Sequence, residues 1–245
     1  MNTKNGNYGL DAPLVIRNLL LVGVVSIFSS VAIFFFLRSF SSNILFITGV
    51  CALIIGIILL ACGGLLIWSS KVGKIQLREE IIDSLNLYGS EVVVDVGCGR
   101  GLLLNAVARR LTSGKAIGVD LWQVKDQSGN HPETTLKNAR IEGVLDRVDI
   151  KTGDMRELPL IDHSVDLIVS SLAIHNIPDK ISRAKAIQEI IRVLKPGGRV
   201  ALLDYRFVRE YFQSLSEKGC SEVKISRFLF KMFPPVRIVS GTKII

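Results

Sequence analysis

The chain has 245 residues, enough for one domain of ordinary size and an additional segment. Hydrophobic residues make up 49% of it and the mean hydropathy is +0.40, which is high for a soluble protein. The four cysteines form no Cys-x-x-Cys pair and no Cys/His cluster, so the sequence predicts neither a disulfide framework nor a zinc site, and we expect no metal.

The formal net charge of +8 is a second global feature. From Lys71 onward the chain carries 27 Lys/Arg against 21 Asp/Glu. Such a balance suits an anionic membrane surface or an acidic ligand, and nucleic acid is the competing partner. A mixed, solvated surface explains the same numbers, so charge alone leaves these alternatives open.

Two uncharged stretches near the N-terminus predict a transmembrane hairpin. They cover residues 19–37 and 44–68, and a bilayer core is crossed by roughly 20 helical residues. A cleaved signal peptide is disfavoured, because the first stretch continues past its small-residue triplet at 30–32 and is longer than a typical signal core. We expect residues 1–13 to be poorly ordered.

Basic residues predict the orientation of this hairpin, since Lys and Arg are enriched on cytoplasmic flanks. The connection between the two stretches contains one basic residue, Arg38. The outer flanks contain five: Lys4, Arg17, Lys71, Lys74 and Arg78. We therefore expect both termini to be cytoplasmic.

Small residues recur along both stretches: Gly49, Gly56 and Gly63 in the second, and Gly23, Ser26 and Ser30 on one face of the first. Small side chains let two helices approach closely in lipid. The pattern predicts a seam within the hairpin or a homodimer seam. The general abundance of glycine in membrane helices explains it equally well.

Residues 91–101 organise the rest of the chain. A β-branched run contains Asp95 and is followed by Gly97, Gly99 and Gly101. This pattern predicts a buried strand, a tight turn and a helix that starts near residue 102. Glycines permit positive φ and close approach of a ligand, and the helix N-terminus offers free N–H groups to an anion. The turn therefore predicts a nucleotide-type cofactor site.

The glycine spacing is G-x-G-x-G, whereas dinucleotide sites have G-x-G-x-x-G. Preceded by an acidic residue, it resembles motif I of the class I S-adenosylmethionine methyltransferases. Asp120 ends the next predicted strand, 19 positions after Gly101, where an acid can accept from the ribose hydroxyls. A plain turn-forming role for Asp120 is the alternative. Trp122 follows in a polar loop and is expected to flank the adenine or a substrate, or to cover the next helix.

Two later predicted strands are followed by further candidate site residues. Gly153, Asp154 and Met155 follow the strand at 148–152 and resemble the segment that holds adenine in these enzymes. His175 follows the strand at 164–171, where it is either a general base or a structural residue that anchors the loop.

A strand at 200–205 ends in Asp204 and Tyr205, which are candidate pocket residues. Two apolar runs at 223–233 and 236–245 predict a final antiparallel pair.

With these motifs in order, residues 74–245 resemble a complete class I methyltransferase, and 162–198 are similar to the branch that includes the ubiquinone/menaquinone-type C-methyltransferases. The resemblance implies an α/β fold with a Rossmann-like seven-stranded sheet, helices on both faces and strand seven antiparallel between five and six. It also implies S-adenosylmethionine as cofactor. The cofactor-binding residues that we predict are Asp95, Gly97, Gly99, Gly101, Asp120, Leu121, Asp154, Met155 and Ser170.

These inferences divide the chain into a tail at 1–18, a membrane hairpin at 19–68, a linker with an amphipathic helix at 69–90, and a methyltransferase domain at 91–245. They predict methyl transfer to a small-molecule or lipid-like acceptor at the cytoplasmic membrane face, with the lipid bilayer as partner. His175 is the first candidate base and Tyr205 the second. The alternative is a SAM-binding regulatory or scaffold protein without turnover.

Nucleic acid is disfavoured as a substrate. Ser170-Ser171-Leu172-Ala173 stands where base methyltransferases carry Asn-Pro-Pro-Tyr-like or Pro-Cys signatures.

Overall fold

The computed structural model describes residues 6–37, 42–124 and 126–244. Lys4 and Arg38, which contribute to the predicted orientation, lie outside the described residues. Lys74 and Arg78, which also entered that prediction, are 3% and 2% exposed. They form ion pairs with Asp11 and Glu142, so their charges are neutralised within the protein and contribute less to the orientation than the sequence suggests.

Two long apolar helices form the N-terminal hairpin. Helix α1 spans Pro13–Leu37 and begins earlier than expected, with proline in its first turn, while α2 spans Asn43–Trp68. Both are long and apolar enough to cross a membrane, and only 11% of each apolar window is buried. The core helix of a soluble protein would be mostly buried, which these two apolar windows are not.

Small residues form the seam between α1 and α2. Gly23, Gly56 and Ser30 are buried, and the Ser30 hydroxyl donates a hydrogen bond to the Gly49 carbonyl at 2.7 Å. A Cβ added to Gly56 would lie 2.6 Å from Ile27 and 2.9 Å from the Gly23 carbonyl oxygen. Of the two seams that the glycine pattern predicted, the structure therefore supports the one within the hairpin.

Helix α2 continues into the domain without a break. A π-helical turn at Ser69–Gly73 leads directly into α3, which spans Lys74–Ser84. The linker expected at the start of 69–90 is thus helical. Leu77 and Ile81 of α3 pack into an apolar cluster with Leu104, so hairpin and domain share one helix.

Seven strands form one sheet in the order β3-β2-β1-β4-β5-β7-β6. The first five are parallel and β7 is antiparallel to both neighbours, which confirms the predicted topology. The strands are β1 Val92–Val96, β2 Lys115–Asp120, β3 Val148–Thr152, β4 Val165–Ser171, β5 Leu194–Asp204, β6 Cys220–Ile225 and β7 Arg237–Lys243.

Helices cover both faces of the sheet: α4 Leu102–Arg110, α5 Pro132–Ile141, α6 Lys180–Val193 and α7 Val208–Glu217. One apolar cluster includes Ile187 of α6 and Leu215 of α7, and the other includes residues of α3 and α4. Each fully buried aliphatic side chain contributes about 1.5–3 kcal/mol of burial free energy. The carboxyl ends of the parallel strands meet at one edge, which we call the carboxyl edge.

Two regions differ from the sequence-based expectation. The predicted strand at 223–233 ends at Ile225, and residues 226–236 form a loop. Residues 6–12 were expected to be poorly ordered, yet they pack on the domain as an N-terminal strap. Tyr8 is 3% exposed, and its hydroxyl donates to Glu142 Oε1 at 2.5 Å and accepts from Asn105 Nδ2 at 3.2 Å. Specific tertiary contacts thus override the polar composition of the strap.

Candidate active site

The glycine turn follows β1 at the carboxyl edge. Gly97 and Gly99 have φ of +73° and +50°, a region that side chains disfavour. A Cβ at Gly97 would lie 2.2 Å from the Ala173 Cβ, and one at Gly99 would lie 2.6 Å from Gln127 Oε1. Glycine is therefore required at both positions. Gly101 precedes α4 as its N-cap, as the sequence predicted.

Asp95 lies inside β1, 3% exposed, directly beneath the glycine turn. Its Oδ2 accepts a hydrogen bond from the Leu104 N–H at 3.0 Å. Burial raises the pKa of Asp95 to about 7, and the nearby charge of Asp120 adds to the rise, whereas the hydrogen bond opposes it. Asp95 thus secures the start of α4 and has an unusual proton affinity.

The carboxylate of Asp120 lies at the tip of β2 against the glycine turn. Oδ2 accepts from the Gly99 N–H at 2.8 Å, and Oδ1 accepts from the Trp122 N–H at 2.6 Å. Asn130 Nδ2 also donates to Oδ1, at 3.2 Å, and Asn130 itself is buried. A carboxylate has about four acceptor positions, so it retains capacity for a ligand hydroxyl. The ribose contact of Asp120 stays a prediction.

Asn130 was missed by the sequence analysis. Its Oδ1 is buried without a hydrogen-bond partner among the described residues, beside the Asp120 carboxylate. A buried acceptor without a donor is costly, and a ligand hydroxyl at Asp120 is a fitting donor. The polar loop after β2 was a visible signal, but nothing distinguished this asparagine within it.

The other residues predicted after β2 occupy defined positions. Leu121 is 44% exposed beside Asp120. The Trp122 indole Nε1 donates to Thr152 Oγ1 at 2.8 Å, so its ring spans the ends of β2 and β3. The indole ring therefore lies next to Asp120, the residue predicted to contact the ribose.

Asp154 and Met155 follow β3 as expected. The Asp154 carboxylate binds Arg156, with Oδ1 at 3.0 Å from Nε and Oδ2 at 2.5 Å from Nη2. These hydrogen bonds hold the pKa of Asp154 below its ordinary value. Met155 lies next to the glycine turn, its Cε 3.5 Å from a Cβ built on Gly97. If Asp154 contacts adenine, its carboxylate must therefore accept from the adenine amine and from Arg156 at the same time.

Ser170 lies near the end of β4 and is 2% exposed. Its hydroxyl donates to the Val96 carbonyl at 2.7 Å. The donor is thus used inside the sheet, where it ties β4 to the end of β1. The predicted cofactor contact of Ser170 is limited to its remaining acceptor capacity.

His175 lies in a short 3₁₀ turn, Ile174–Asn176, after β4. Its Nδ1 donates to the Asp204 carboxylate, 3.0 Å from Oδ1 and 3.1 Å from Oδ2. The Tyr211 hydroxyl also donates to Asp204 Oδ2, at 3.1 Å. With Nδ1 as donor, Nε2 is the acceptor nitrogen of a neutral imidazole. A general-base role of His175 is chemically feasible in this arrangement, and both that role and the structural one stay predictions.

Tyr205 packs against this histidine. Its ring meets the His175 ring edge-on, with centroids 4.9 Å apart, and the residue is 39% exposed. Tyr211, which the sequence analysis did not single out, has a pKa raised by burial and by the charge of Asp204. Tyr211 therefore remains a hydrogen-bond donor to Asp204, while Tyr205 lines the approach to His175.

The N-terminal strap contacts the back of the glycine turn through Gln127. Gln127 Oε1 accepts from the Arg100 N–H at 2.9 Å, and its Nε2 donates to the Tyr8 carbonyl at 3.2 Å. Asn138 Nδ2 donates to the Arg100 carbonyl and to the Asn7 carbonyl, both at 2.9 Å. The strap is thus connected to the cofactor turn through two amide side chains.

Comparison with known proteins agrees with this geometry. Residues 94–202 match the family model described as methyltransferase domain. This match spans less than half of the chain, and within it the sequence is similar to a methyltransferase domain. It agrees with the family that the motifs indicated, whose cofactor is S-adenosylmethionine.

A demethylmenaquinone methyltransferase of Lactiplantibacillus plantarum is 32% identical over 130 residues, which are 52% of this chain and 50% of that protein. The chain thus spans about half the length of the curated relatives it matches.

Two solved structures share the fold. A SAM-dependent methyltransferase from Aquifex aeolicus aligns with a TM-score of 0.53 and 19% identity, over 68% of this chain and 89% of that one. The [4+2]-cyclase SpnF aligns with a TM-score of 0.56 and 19% identity, over 70% and 82%. These structures confirm the Rossmann-like methyltransferase fold. Since one of them is named as a cyclase, the function of this domain has to be argued from its own residues.

Proposed function

We propose that the chain is a membrane-anchored methyltransferase that transfers a methyl group from S-adenosylmethionine to an apolar small-molecule or lipid-like acceptor at the cytoplasmic membrane face. The observation that carries this proposal is the continuity of α2 and α3. The exposed apolar hairpin continues without a break into α3, which packs against α4, the helix that follows the glycine turn. An apolar acceptor would be concentrated in the bilayer next to the carboxyl edge.

The residues at the glycine turn fit the cofactor. Positive-φ glycines provide close backbone approach, Asp120 provides a clamped carboxylate, and Asn130 offers an unpaired buried acceptor. The sulfonium methyl of the bound cofactor is already electrophilic, so it supplies the reactive group without activation by the protein. Asp120 and Asn130 would orient the ribose, and the glycine turn would hold the methionyl part.

The protein's own contribution to the reaction is alignment and proton removal. Holding donor and acceptor in line contributes up to about 7–11 kcal/mol in ideal systems. For an acceptor with an acidic O–H, N–H or C–H, His175 Nε2 takes the proton while Asp204 stabilises the resulting imidazolium through Nδ1. Tyr205 packs on the same imidazole and limits its rotation.

The name of the relative from Lactiplantibacillus plantarum makes a quinone-type acceptor the first class to examine. The basic surface and the apolar hairpin favour a lipid bilayer partner over nucleic acid. A scaffold role without turnover is the alternative that the experiment below excludes or supports.

The test uses the full chain in phospholipid vesicles with S-adenosylmethionine carrying a labelled methyl group. Quinones, extracted membrane lipids and water-soluble phenols are supplied in parallel. We expect label in the organic phase with an apolar acceptor, and its loss in His175→Ala. Tight cofactor binding with no transfer to any acceptor would favour the scaffold role, and transfer only to soluble phenols would contradict the apolar acceptor.

A further inference from the structure

The loop between β6 and β7, residues 226–236, exposes two phenylalanines and is called the aromatic loop here. Phe228 is 55% and Phe230 is 74% exposed, with ring centroids 6.2 Å apart. The loop is ordered by a backbone pair, in which Leu229 N donates to the Val236 carbonyl at 2.8 Å and Val236 N donates to the Leu229 carbonyl at 3.2 Å. A fixed turn thus holds large apolar side chains away from the core.

The tip of the aromatic loop rests against the end of the hairpin. The Phe233 N–H donates to the hydroxyl of Ser69, the first residue after α2, at 2.9 Å. The Lys231 carbonyl oxygen approaches Gly73 so closely that a Cβ there would lie 1.8 Å from it. Ser69 and Gly73 are the first and last residues of the π-helical turn that follows α2, so the loop lies beside the end of the span.

Basic side chains accompany the exposed rings. Arg227 and Lys231 are exposed, and the Arg237 guanidinium lies 5.0 Å from the centroid of the Phe228 ring. Lys231 also pairs with Glu80 of α3. Apolar rings beside cations are typical of segments that lie in the headgroup region, with the rings in the acyl boundary and the cations near lipid phosphates.

The inner side of the same loop reaches the carboxyl edge. Met232 is 4% exposed and packs in the apolar cluster with Leu203 near the end of β5 and Leu77 of α3. The loop therefore connects an outward-facing aromatic surface with the region behind the candidate active site.

We propose that the aromatic loop is a second membrane contact, in which Phe228 and Phe230 insert into the interface of an anionic bilayer. The proposal rests on the membrane anchoring in the proposed function. Such a contact holds the carboxyl edge against the lipid surface, with Met232 directly behind the inserted rings, and defines the side from which an apolar acceptor approaches.

The test places a single indole at the loop in the full chain, reconstituted in vesicles of phosphatidylcholine and phosphatidylglycerol. The native Trp68, at the end of α2, reports hairpin insertion in a W122F background. The variant W68F/W122F/F230W reports the loop. The matched control is W68F/W122F/Y88W, because Tyr88 is 89% exposed and precedes β1, at the opposite end of the sheet. Fluorescence is compared with and without lipids brominated on the upper acyl chain.

We expect the indole of F230W to be quenched to within about twofold of Trp68, and that of Y88W to be unaffected. Quenching of Trp68 without quenching of F230W overturns the loop contact and leaves the membrane anchor intact. Absence of quenching at Trp68 as well overturns both, because the hairpin is then not in the bilayer. Equal quenching of F230W and Y88W also overturns the proposal, because it indicates nonspecific adsorption of the domain.

Discussion

The imidazole of His175 is held by the carboxylate of Asp204, which lies 3.0 Å from its Nδ1 although the two residues are 29 positions apart in sequence. Asp204 is 2% exposed and also accepts the backbone N–H groups of Tyr205 and Arg206 through Oδ1, at 2.8 and 3.1 Å. The orienting group is therefore itself fixed, which is what a histidine base requires to keep one tautomer.

Replacement of His175 by Ala should lower kcat by about 100-fold or more for an acceptor that loses a proton, since a positioned base contributes roughly 10²–10⁴-fold. Asp204→Asn should lower kcat with little change in cofactor affinity, because it alters the tautomer. Steady-state kinetics and calorimetric binding of S-adenosylmethionine separate the two effects. Full activity of both variants would exclude a base at this position.

Asp120→Ala should weaken cofactor binding by about 10- to 100-fold, since hydrogen bonds to a charged group contribute roughly 1.5–3 kcal/mol. The measurement is the dissociation constant of S-adenosylmethionine for the full chain in detergent. The matched control is Asp146→Ala, whose carboxylate is 74% exposed and pairs only with the adjacent Arg147 among the described residues. Equal affinities of the two variants would argue against the ribose role.

The raised pKa of Asp95 predicts how stability depends on pH. Between its ordinary value near 3.8 and the folded value of about 7, the folded protein keeps a proton that the unfolded chain has lost. In the absence of cofactor, the free energy of unfolding should therefore fall as pH rises through this window. We expect a decrease of about 2 kcal/mol between about pH 5 and about pH 7, with no further decrease above it. Thermal unfolding of the full chain in detergent measures this.

Asp95→Asn should remove most of that pH dependence, because the amide is neutral at every pH and its oxygen still accepts from Leu104. Asp146→Asn, at an exposed site, should retain it. An unchanged slope in Asp95→Asn would assign the pH dependence to other groups.

The N-terminal strap should contribute to stability through Tyr8. Tyr8→Phe removes the hydroxyl that contacts Glu142 and Asn105, and should cost about 1–3 kcal/mol because buried partners lose a hydrogen bond. Tyr88→Phe, at an 89% exposed position, should cost close to nothing. Chemical unfolding of both variants tests this, and equal midpoints would mean that the strap is not docked in solution.

Gly56→Ala should destabilise the hairpin, since the added Cβ lies 2.6 Å from Ile27 and 2.9 Å from the Gly23 carbonyl oxygen. Gly64→Ala is the matched control in the same helix, because nothing lies within 4 Å of a Cβ there. We expect a lower melting temperature in detergent for the first variant and no decrease for the second. The reverse order would contradict the seam.

Residues with local patterns could be predicted from the sequence. The turn around Gly97 and Gly99 requires glycine for backbone reasons, and the positions of Asp120 at the end of β2 and His175 just after β4 follow from short, continuous apolar runs. These features are encoded within a few neighbouring residues, so the sequence predicted their positions relative to the strands correctly.

Contacts between distant segments could not be predicted in the same way. The pairing of Asp204 with His175 and of Tyr8 with Glu142 depends on register across the sheet and on packing of the strap. The aromatic loop reads as a continuation of β6, since its apolar residues suit a strand. Its departure from the sheet follows from tertiary contacts with Ser69 and with the apolar cluster around α3, which no local pattern carries.

The helix from Asn43 to Ser84 is unbroken, so in a membrane-anchored chain, as proposed, it would set both the height and the orientation of the domain relative to the bilayer. Its length beyond Trp68 would set the height of the carboxyl edge, at about 1.5 Å per residue. Each residue added to it would rotate the domain about the helix axis by about 100° and so change which side faces the lipid. The π-helical turn at Ser69–Gly73 lies in this connection, so the side of the domain that faces the lipid would be determined several residues away from the proposed catalytic groups.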